Sequence, residues 1–392
     1  MAEALEQVDY VVIGLGALGS SAAWRLASRG YSVLGLDRFA LGHDRGASHD
    51  TSRILRHSYH TPAYVELTLA AYADWADLED ASGERLVTTT GGLDLFPPDA
   101  AISPDDYTAS LDAVGIVYET LDAHAVACRW PAFRLPEGTL ALHQADAAIV
   151  PAARGTAAMQ AQAVRHGADL RGLHPVVGLA DRGDGGIDVA TPHGSVRARG
   201  VVVTADAWTN QVLRHLDVQV PLETTWEQVT YFAPARPELF APHVMPLWIW
   251  MDDPSFYGFP TYGEPTVKAA QDCGGPAIDP ESRTGPDPVD AEMLARLSRF
   301  LGGILPGSGT PVRSRRCLYT LTPDRDFVLA PVPGHERVVV GLGAAHAFKF
   351  APTFGRLLAD VVSSGSSTTG LSAFRMDRPS LTDPDYATHW LV

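Results

Sequence analysis

The chain has 392 residues, more than one hydrophobic core usually holds, so two domains are expected. Hydrophobic residues make up 46% and charged residues 19%, a globular balance that excludes a chain dominated by disorder. The 30 basic and 46 acidic residues leave a formal charge of -16, which argues against duplex nucleic acid as a partner but says nothing against a few cations gathered in one pocket.

In chain order, residues 8–13 form a short apolar run followed by glycine, the pattern of a buried parallel strand. Residues 17–29 read as a helix of small residues with Ala22, Trp24, Leu26 and Ala27, stopped by Gly30. Residues 31–36 give a second strand that ends in Asp37, which completes a βαβ unit. A glycine- and histidine-rich stretch without a clean period covers 41–60. A helix is expected over 61–79, with Tyr64, Leu67, Ala70, Tyr72 and Trp75 on its apolar positions. Residues 86–96 are strand-like, and 97–134 read as a peripheral excursion of helix and loop. A helix over 153–166 follows, then short strands at 176–179, 187–190 and 195–198 joined by glycine-containing turns, and a separate parallel strand at 201–204. From 221 to about 310 the chain is richer in tryptophan, tyrosine and proline, with several short strands. A strand at 337–341 and a helix at 354–362 close the series. No repeat or low-complexity tract is present.

This order gives an α/β fold with two discontinuous domains. A Rossmann-like dinucleotide domain takes residues 1–85, 146–215 and 311–392. A mixed-sheet substrate domain takes 86–145 and 216–310. The longest uncharged N-terminal run, 10–24, is too short to span a bilayer, and acidic residues precede it where a signal peptide would be basic. Cys128, Cys273 and Cys317 have no paired spacing, so neither a disulfide framework nor a zinc site is expected. A cytoplasmic protein with no membrane, no metal and no nucleic acid among its partners is the expectation.

Gly14-Leu15-Gly16-Ala17-Leu18-Gly19 is a GxGxxG pattern between an expected strand and an expected helix. Gly14 permits the tight turn, Gly16 lets the backbone approach a pyrophosphate, and Gly19 lets helix and strand pack closely. The helix start adds N–H groups and the positive end of a dipole. Asp37 ends the second strand, where a carboxylate can accept from both ribose hydroxyls, and its acidity disfavours NADP; Arg38 beside it is counted with the cofactor residues. FAD and NAD share this fingerprint. The three small strands before 201 and the late return to a strand and helix favour FAD.

Four segments then carry a resemblance along nearly the whole chain: the glycine fingerprint with Asp37, residues 48–57 (SHDTSRILRH), residues 316–320 (RCLYT) and residues 346–350 (HAFKF). The chain resembles the monomeric sarcosine oxidase and N-methyltryptophan oxidase family, within the D-amino-acid-oxidase-like flavoproteins. The resemblance implies FAD bonded covalently through Cys317, a step that positive charge would help by favouring the thiolate; Arg313, Arg315 and Arg316 are the neighbours in sequence. It implies that Arg56 and Lys349 hold a substrate carboxylate, a task that suits a guanidinium fork and an ammonium, with Lys349 also close to the cofactor. Arg53, His49 and Ser52 match residues near the flavin ring, Tyr257 matches an active-site tyrosine, and Lys268 matches the lysine that activates oxygen. His346 and His49 are candidate proton acceptors.

The chain also departs from the family. Asp272 stands where a histidine is usual, four residues beyond Lys268, and could meet a substrate cation or neutralise Lys268. Asp206 replaces a usual glycine, and Ala344 and Ala345 replace residues often glycine or serine. The implied activity is FAD-dependent oxidation of a secondary amine or N-methyl amino acid by a monomer, with a small amine and oxygen as partners. Oxidation of a cyclic imino acid or biosynthetic amine intermediate, an NAD-dependent dehydrogenase and a non-catalytic flavin module are the alternatives.

Overall fold

The computed structural model describes residues 6–183, 185–283, 287–367 and 369–391; the terminal residues 1–5 and 392 of the expected dinucleotide domain lie outside them. The strand Glu6–Ile13 turns its second half into the core and pairs in parallel with Val33–Leu36 on one side and Gly194–Val203 on the other. Asp169–Arg171 extends the sheet beyond Val33–Leu36, and His335–Leu342 with Val328–Val332 extends it beyond Gly194–Val203. The helix Ala17–Ala27 packs against the helices Ala152–Arg165 and Ala351–Ser364. Its small residues permit the close approach, as its sequence implies.

Residues 195–198 and 201–204 do not form two strands. They belong to one ten-residue strand, Gly194–Val203, which carries the antiparallel ribbon Gly178–Asp181 and Ile187–Thr191 on its first half. The exposed Arg199 and the glycine after it resemble a break, but Arg199 reaches Asp9 of the neighbouring strand at 3.1 Å.

The second sheet has eight strands in the order Thr310–Leu321, Glu223–Ala233, Val267–Gln271, Phe256–Phe259, Leu247–Trp250, Gly92–Phe96, Leu140–Gln144 and Glu119–Asp122. Residues 311–321, expected in the dinucleotide domain, thus belong to an edge strand of this sheet. The single strand expected over 86–96 is divided: Thr88–Thr89 joins a small sheet with Ala148–Val150 and Arg53–Leu55, and Gly92–Phe96 enters the large sheet. Gly91, at φ 71, makes the bend. The strand Glu119–Asp122 falls within the excursion at 97–134; it is largely exposed and so lacks an apolar period. Helix Ala291–Ile304 is capped by the Asp290 carboxylate and buries Met293, Leu297, Leu301 and Ile304 against the large sheet. Among the described residues, no helix is long and apolar enough to cross a membrane.

Candidate functional site

A cavity of about 500 Å³ begins at the carboxyl ends of Glu6–Ile13, Val33–Leu36 and Gly194–Val203 and runs between the two large sheets. A crevice at the carboxyl ends of parallel strands, where the chain passes from one side of the first strand to the other, is where such folds take ligands. Gly14, Gly16, Asp37 and Arg38 line this end. Gly14 sits at φ 91. Gly19 does not face the cavity. A Cβ there would lie 1.9 Å from the Gly14 carbonyl oxygen, so its work is the close packing of helix on turn. The Asp37 carboxylate accepts from the Leu15 and Phe39 amides, both at 2.8 Å, which fixes the turn and holds the residue in the cavity lining. Arg38 forms a forked pair with Glu281 and lies over the rings of Phe39 and Trp208. Asp206 lines the same region at φ 48, and burial pushes its carboxyl up to about 6. Ala344 and Ala345, at φ 42 and 70, also hold the left-handed conformation that glycine favours.

The middle of the cavity is built from the loop before strand Arg53–Leu55 and from strand Thr310–Leu321. The Arg53 guanidinium donates to the carbonyls of Ala47, His49 and Ser52, so its first role is to fold that loop. His49 lines the wall with Nε2 buried and without a partner; burial and then Arg53 draw its pKa down to about 4. Cys317 is on the wall and Tyr319, on the same face of its strand, follows it; the Tyr319 hydroxyl is 3.4 Å from that of Tyr257. The arginines beside Cys317 in sequence serve other groups. Arg313 pairs with Glu264, Arg316 donates to the carbonyls of Trp226 and Glu227, and Arg315 is exposed. Burial raises the Cys317 thiol to about 11, and the cations that oppose this are Arg53 and Lys268.

Ser52 and Lys268 lie one layer behind the wall. The Lys268 ammonium meets the Asp50 carboxylate at 2.7 Å and donates to the Ser52 carbonyl at 3.0 Å. Asp50 itself lines the cavity. The neutralising partner of Lys268 is therefore Asp50 and not Asp272. Asp272 instead forms a two-point pair with Arg325 at 2.8 and 2.9 Å. Four residues along a strand and its following turn separate Asp272 from Lys268, and the turn carries the carboxylate to the far end of the cavity.

That far end is charged. Arg56 is buried and donates to Asp94 at 2.5 Å, while Ser58 donates to the other carboxylate oxygen. The Lys349 ammonium donates to the Tyr59 hydroxyl at 2.8 Å and to the His346 carbonyl at 2.9 Å. Arg56 and Lys349 both converge on Tyr59, at 5.3 and 5.4 Å from its ring centre. Burial, then Arg56 and Arg325, pull the Lys349 ammonium well below its ordinary value. His346 shares Nε2 with the Arg325 carbonyl at 2.9 Å, and burial with the nearby cations keeps its ring neutral. In a neutral ring that nitrogen donates, which leaves Nδ1 to accept.

With this geometry in place, the likeness to known proteins is specific. Residues 9–361 match the family described as FAD dependent oxidoreductase. The chain belongs to that family. It is 33% identical over 377 residues to the monomeric sarcosine oxidase of Streptomyces avermitilis, covering 93% of this chain and 96% of the relative. It is 30% identical to the N-methyl-L-tryptophan oxidase of Yersinia pestis, with 94% and 99% covered. Among solved structures it is similar to NikD, described as an unusual amino acid oxidase essential for nikkomycin biosynthesis, at 30% identity and a TM-score of 0.83, covering 94% of this chain and 97% of that one.

Membership of this FAD-dependent oxidoreductase family sets aside the NAD alternative. The residues fit the cofactor on structural grounds as well: a glycine turn and helix start at one end, Asp37 held in the lining beside them, a long cavity, and the unpartnered His49 nitrogen in its wall. Asp50, Tyr59, Asp94, Tyr319 and Arg325 shape the site of this oxidoreductase, and sequence reasoning assigned none of them a role. Asp94 had a signal, a lone charge inside the apolar run 92–96. Arg325 sits at φ 58 in a turn and had none.

Proposed function

We propose that this chain is an oxidase of a secondary amine or N-methyl amino acid, with oxygen as acceptor and an imine and hydrogen peroxide as products. The observation that carries this reading is the convergence of Arg56 and Lys349 on Tyr59 at the far end of the cavity, where all three line its wall. A carboxylate docked there accepts charge-assisted hydrogen bonds from a guanidinium and an ammonium. Its negative charge also offsets the burial that discharges Lys349, so the acid and the protonated lysine favour each other. FAD, when bound, would supply the redox chemistry, as acceptor for the hydrogen and two electrons of the C–H beside nitrogen and as their donor to oxygen. The protein holds the acid, keeps His346 neutral with its Nδ1 3.4 Å from the Tyr59 hydroxyl, and lines the site with Tyr257 and Tyr319.

Cys317 is the residue that bonds to the cofactor in this reading. Its position on the cavity wall supports the bond, and the cations that favour its thiolate are Arg53 and Lys268. The three cysteines are free, which supports a cytoplasmic setting, and a monomer acting on a small amine is part of the same proposal. A second reading, a cyclic imino acid or biosynthetic amine intermediate as substrate, is favoured by the Asp272–Arg325 pair, which places both signs of charge within reach of the substrate.

A substrate panel scored by peroxide release tests the proposal. N-methyl amino acids are expected to react far faster than their amides, and Lys349→Ala is expected to raise the apparent constant for acids by about one to two decades, the worth of one charge-assisted hydrogen bond. Equal activity toward acid and amide would sink the carboxylate reading. Acid-precipitated protein is expected to stay yellow, and Cys317→Ser to release its flavin; a yellow supernatant from the wild type would remove the covalent bond alone.

A further inference from the structure

The oxygen half of the proposed reaction assigns a task to Lys268, yet this lysine does not touch the cavity. It is buried between the Phe259 and Tyr231 rings, 5.2 and 5.9 Å from its ammonium, on the strand Val267–Gln271. The loop residue Asp50 stands between it and the cavity. Asp50 meets the ammonium at 2.7 Å, and the Tyr231 hydroxyl donates to its other oxygen, assisted by Thr51 at 2.9 Å from that hydroxyl. The carboxylate is thus held from two sides. Its backbone is at φ 78, a conformation that glycine favours and aspartate adopts at a cost, so the contacts of its side chain offset that cost.

Of the other groups facing Lys268, the Ser52 carbonyl accepts from the ammonium at 3.0 Å but carries no charge to hold it ionised. Arg53 repels it from the small sheet, Cys317 approaches from strand Thr310–Leu321 with a thiol that burial keeps protonated, and the remaining neighbours are aromatic rings. Asp50 is the anion of this group. We propose that Asp50 is a positioning residue that keeps Lys268 an ammonium ion behind the cavity wall, so that a fixed positive charge is present while oxygen takes up electrons. Oxygen gains two electrons and two protons to become hydrogen peroxide, the electrons coming from the substrate C–H bond through FAD. Negative charge builds on oxygen at the first electron, and a preorganised cation lowers the cost of that step. The inference rests on the reading of Lys268 as the oxygen-activating lysine.

The two lysines of the chain, Lys268 and Lys349, make the charge directly visible. In FAD-containing protein labelled with 13C at the lysine ε-carbon, two side-chain signals are expected, assigned with Lys349→Met. Burial, offset in part by Asp50, sets Lys268 at about 8, so its signal should titrate there and reoxidation by oxygen should slow as pH rises through the same midpoint. Asp50→Asn removes the anion, and Asp50→Gly removes it with a residue that suits φ 78, so a stable folded variant is expected in at least one case. In either variant the Lys268 midpoint should fall by about one pH unit or more, a tenfold change in its proton equilibrium. Reoxidation at pH 7.5 should then fall about threefold for a one-unit drop, and further for a larger one, and recover toward pH 6, while flavin bleaching by substrate without oxygen should fall less. An unmoved midpoint, a loss of reoxidation that is uniform in pH, or faster reoxidation overturns the proposal, the last by showing that Asp50 shields the lysine. Lys268→Met distinguishes the two failures. Normal reoxidation in that variant removes the oxygen role from Lys268, and the proposal with it; slow reoxidation beside an unmoved midpoint in the Asp50 variants removes Asp50 alone.

Discussion

The two ends of the cavity are made by different means. The dinucleotide end is shaped by backbone: a turn that Gly14 permits, a helix that Gly19 lets close, and amides that the Asp37 carboxylate ties together within 25 residues of sequence. The charged end is shaped by side chains from distant segments, Arg56 with Asp94, Arg325 with Asp272, and Lys349 with Tyr59. One end tolerates little change in shape. At the other, shape is secondary and the balance of charge decides what binds.

The largest effect that tests this contrast is expected at Gly19. In Gly19→Ala the new methyl group would lie 1.9 Å from the Gly14 carbonyl and 2.4 Å from the Thr204 hydroxyl, so turn and helix must part. A loss well above ~3 kcal/mol, with little flavin retained, is expected. Gly16→Ala supplies the comparison, because its methyl group meets only the Ser48 side chain at 3.0 Å and should leave the protein folded. Thermal melts and the flavin-to-protein absorbance ratio report both outcomes. A Gly19→Ala protein with normal melting and flavin would show that this end is more deformable than its geometry implies.

A smaller effect is expected where the charged end is broken. Asp94→Asn leaves the Arg56 guanidinium buried without its anion, and removing one partner of a buried pair typically costs about 3–5 kcal/mol. The vacated role is one that a carboxylate ligand can fill. A small carboxylic acid should therefore raise the melting temperature of Asp94→Asn more than that of the wild type. If added acid stabilises the two proteins equally, a ligand carboxylate does not take over the role of Asp94 beside Arg56.

The same contrast explains what could be read from the sequence. The fingerprint, Asp37 and the parallel strands were legible because each signal is local: an apolar run, a glycine spacing, a helix start. The charged end was legible only as single residues. Arg56 and Lys349 could be named through resemblance, but Asp94, Arg325 and Asp50 enter through tertiary pairing that no spacing encodes. Reading along the sequence also misled. Arg313, Arg315 and Arg316 look like a cluster around Cys317, yet strand alternation turns Arg316 to the other face, Arg313 is drawn to Glu264 and Arg315 is exposed, and the cations that act on this thiol come from residues 53 and 268. Asp272 is close to Lys268 in sequence, but the turn after Gln271 separates them, and their partners are Arg325 and Asp50.

Asp206 lies on the line between the two kinds of construction and gives the smallest expected effect. It places a carboxyl group at the dinucleotide end, at a position where φ is 48 and backbone shape is the main demand. Burial raises its carboxyl from the ordinary 3.8 to about 6. Between those values the folded protein keeps a proton that the unfolded chain has released, so stability falls as pH rises from about 4 to about 6 and stays lower above. Asp206→Asn removes the ionisation and keeps a residue that accepts positive φ about as well, so the backbone cost cancels in the comparison. The variant should match the wild type near pH 4 and exceed it at pH 8 by at most about 3 kcal/mol, the worth of roughly two pKa units. Melting temperatures of the FAD-containing proteins across that range measure the gap. A gap that does not change with pH would mean that the carboxyl is solvated and that Asp206 matters only through its backbone. A gap that reverses at pH 8 would mean that the ionised carboxylate accepts a hydrogen bond from the bound cofactor, which would make charge, as well as shape, a part of the dinucleotide end.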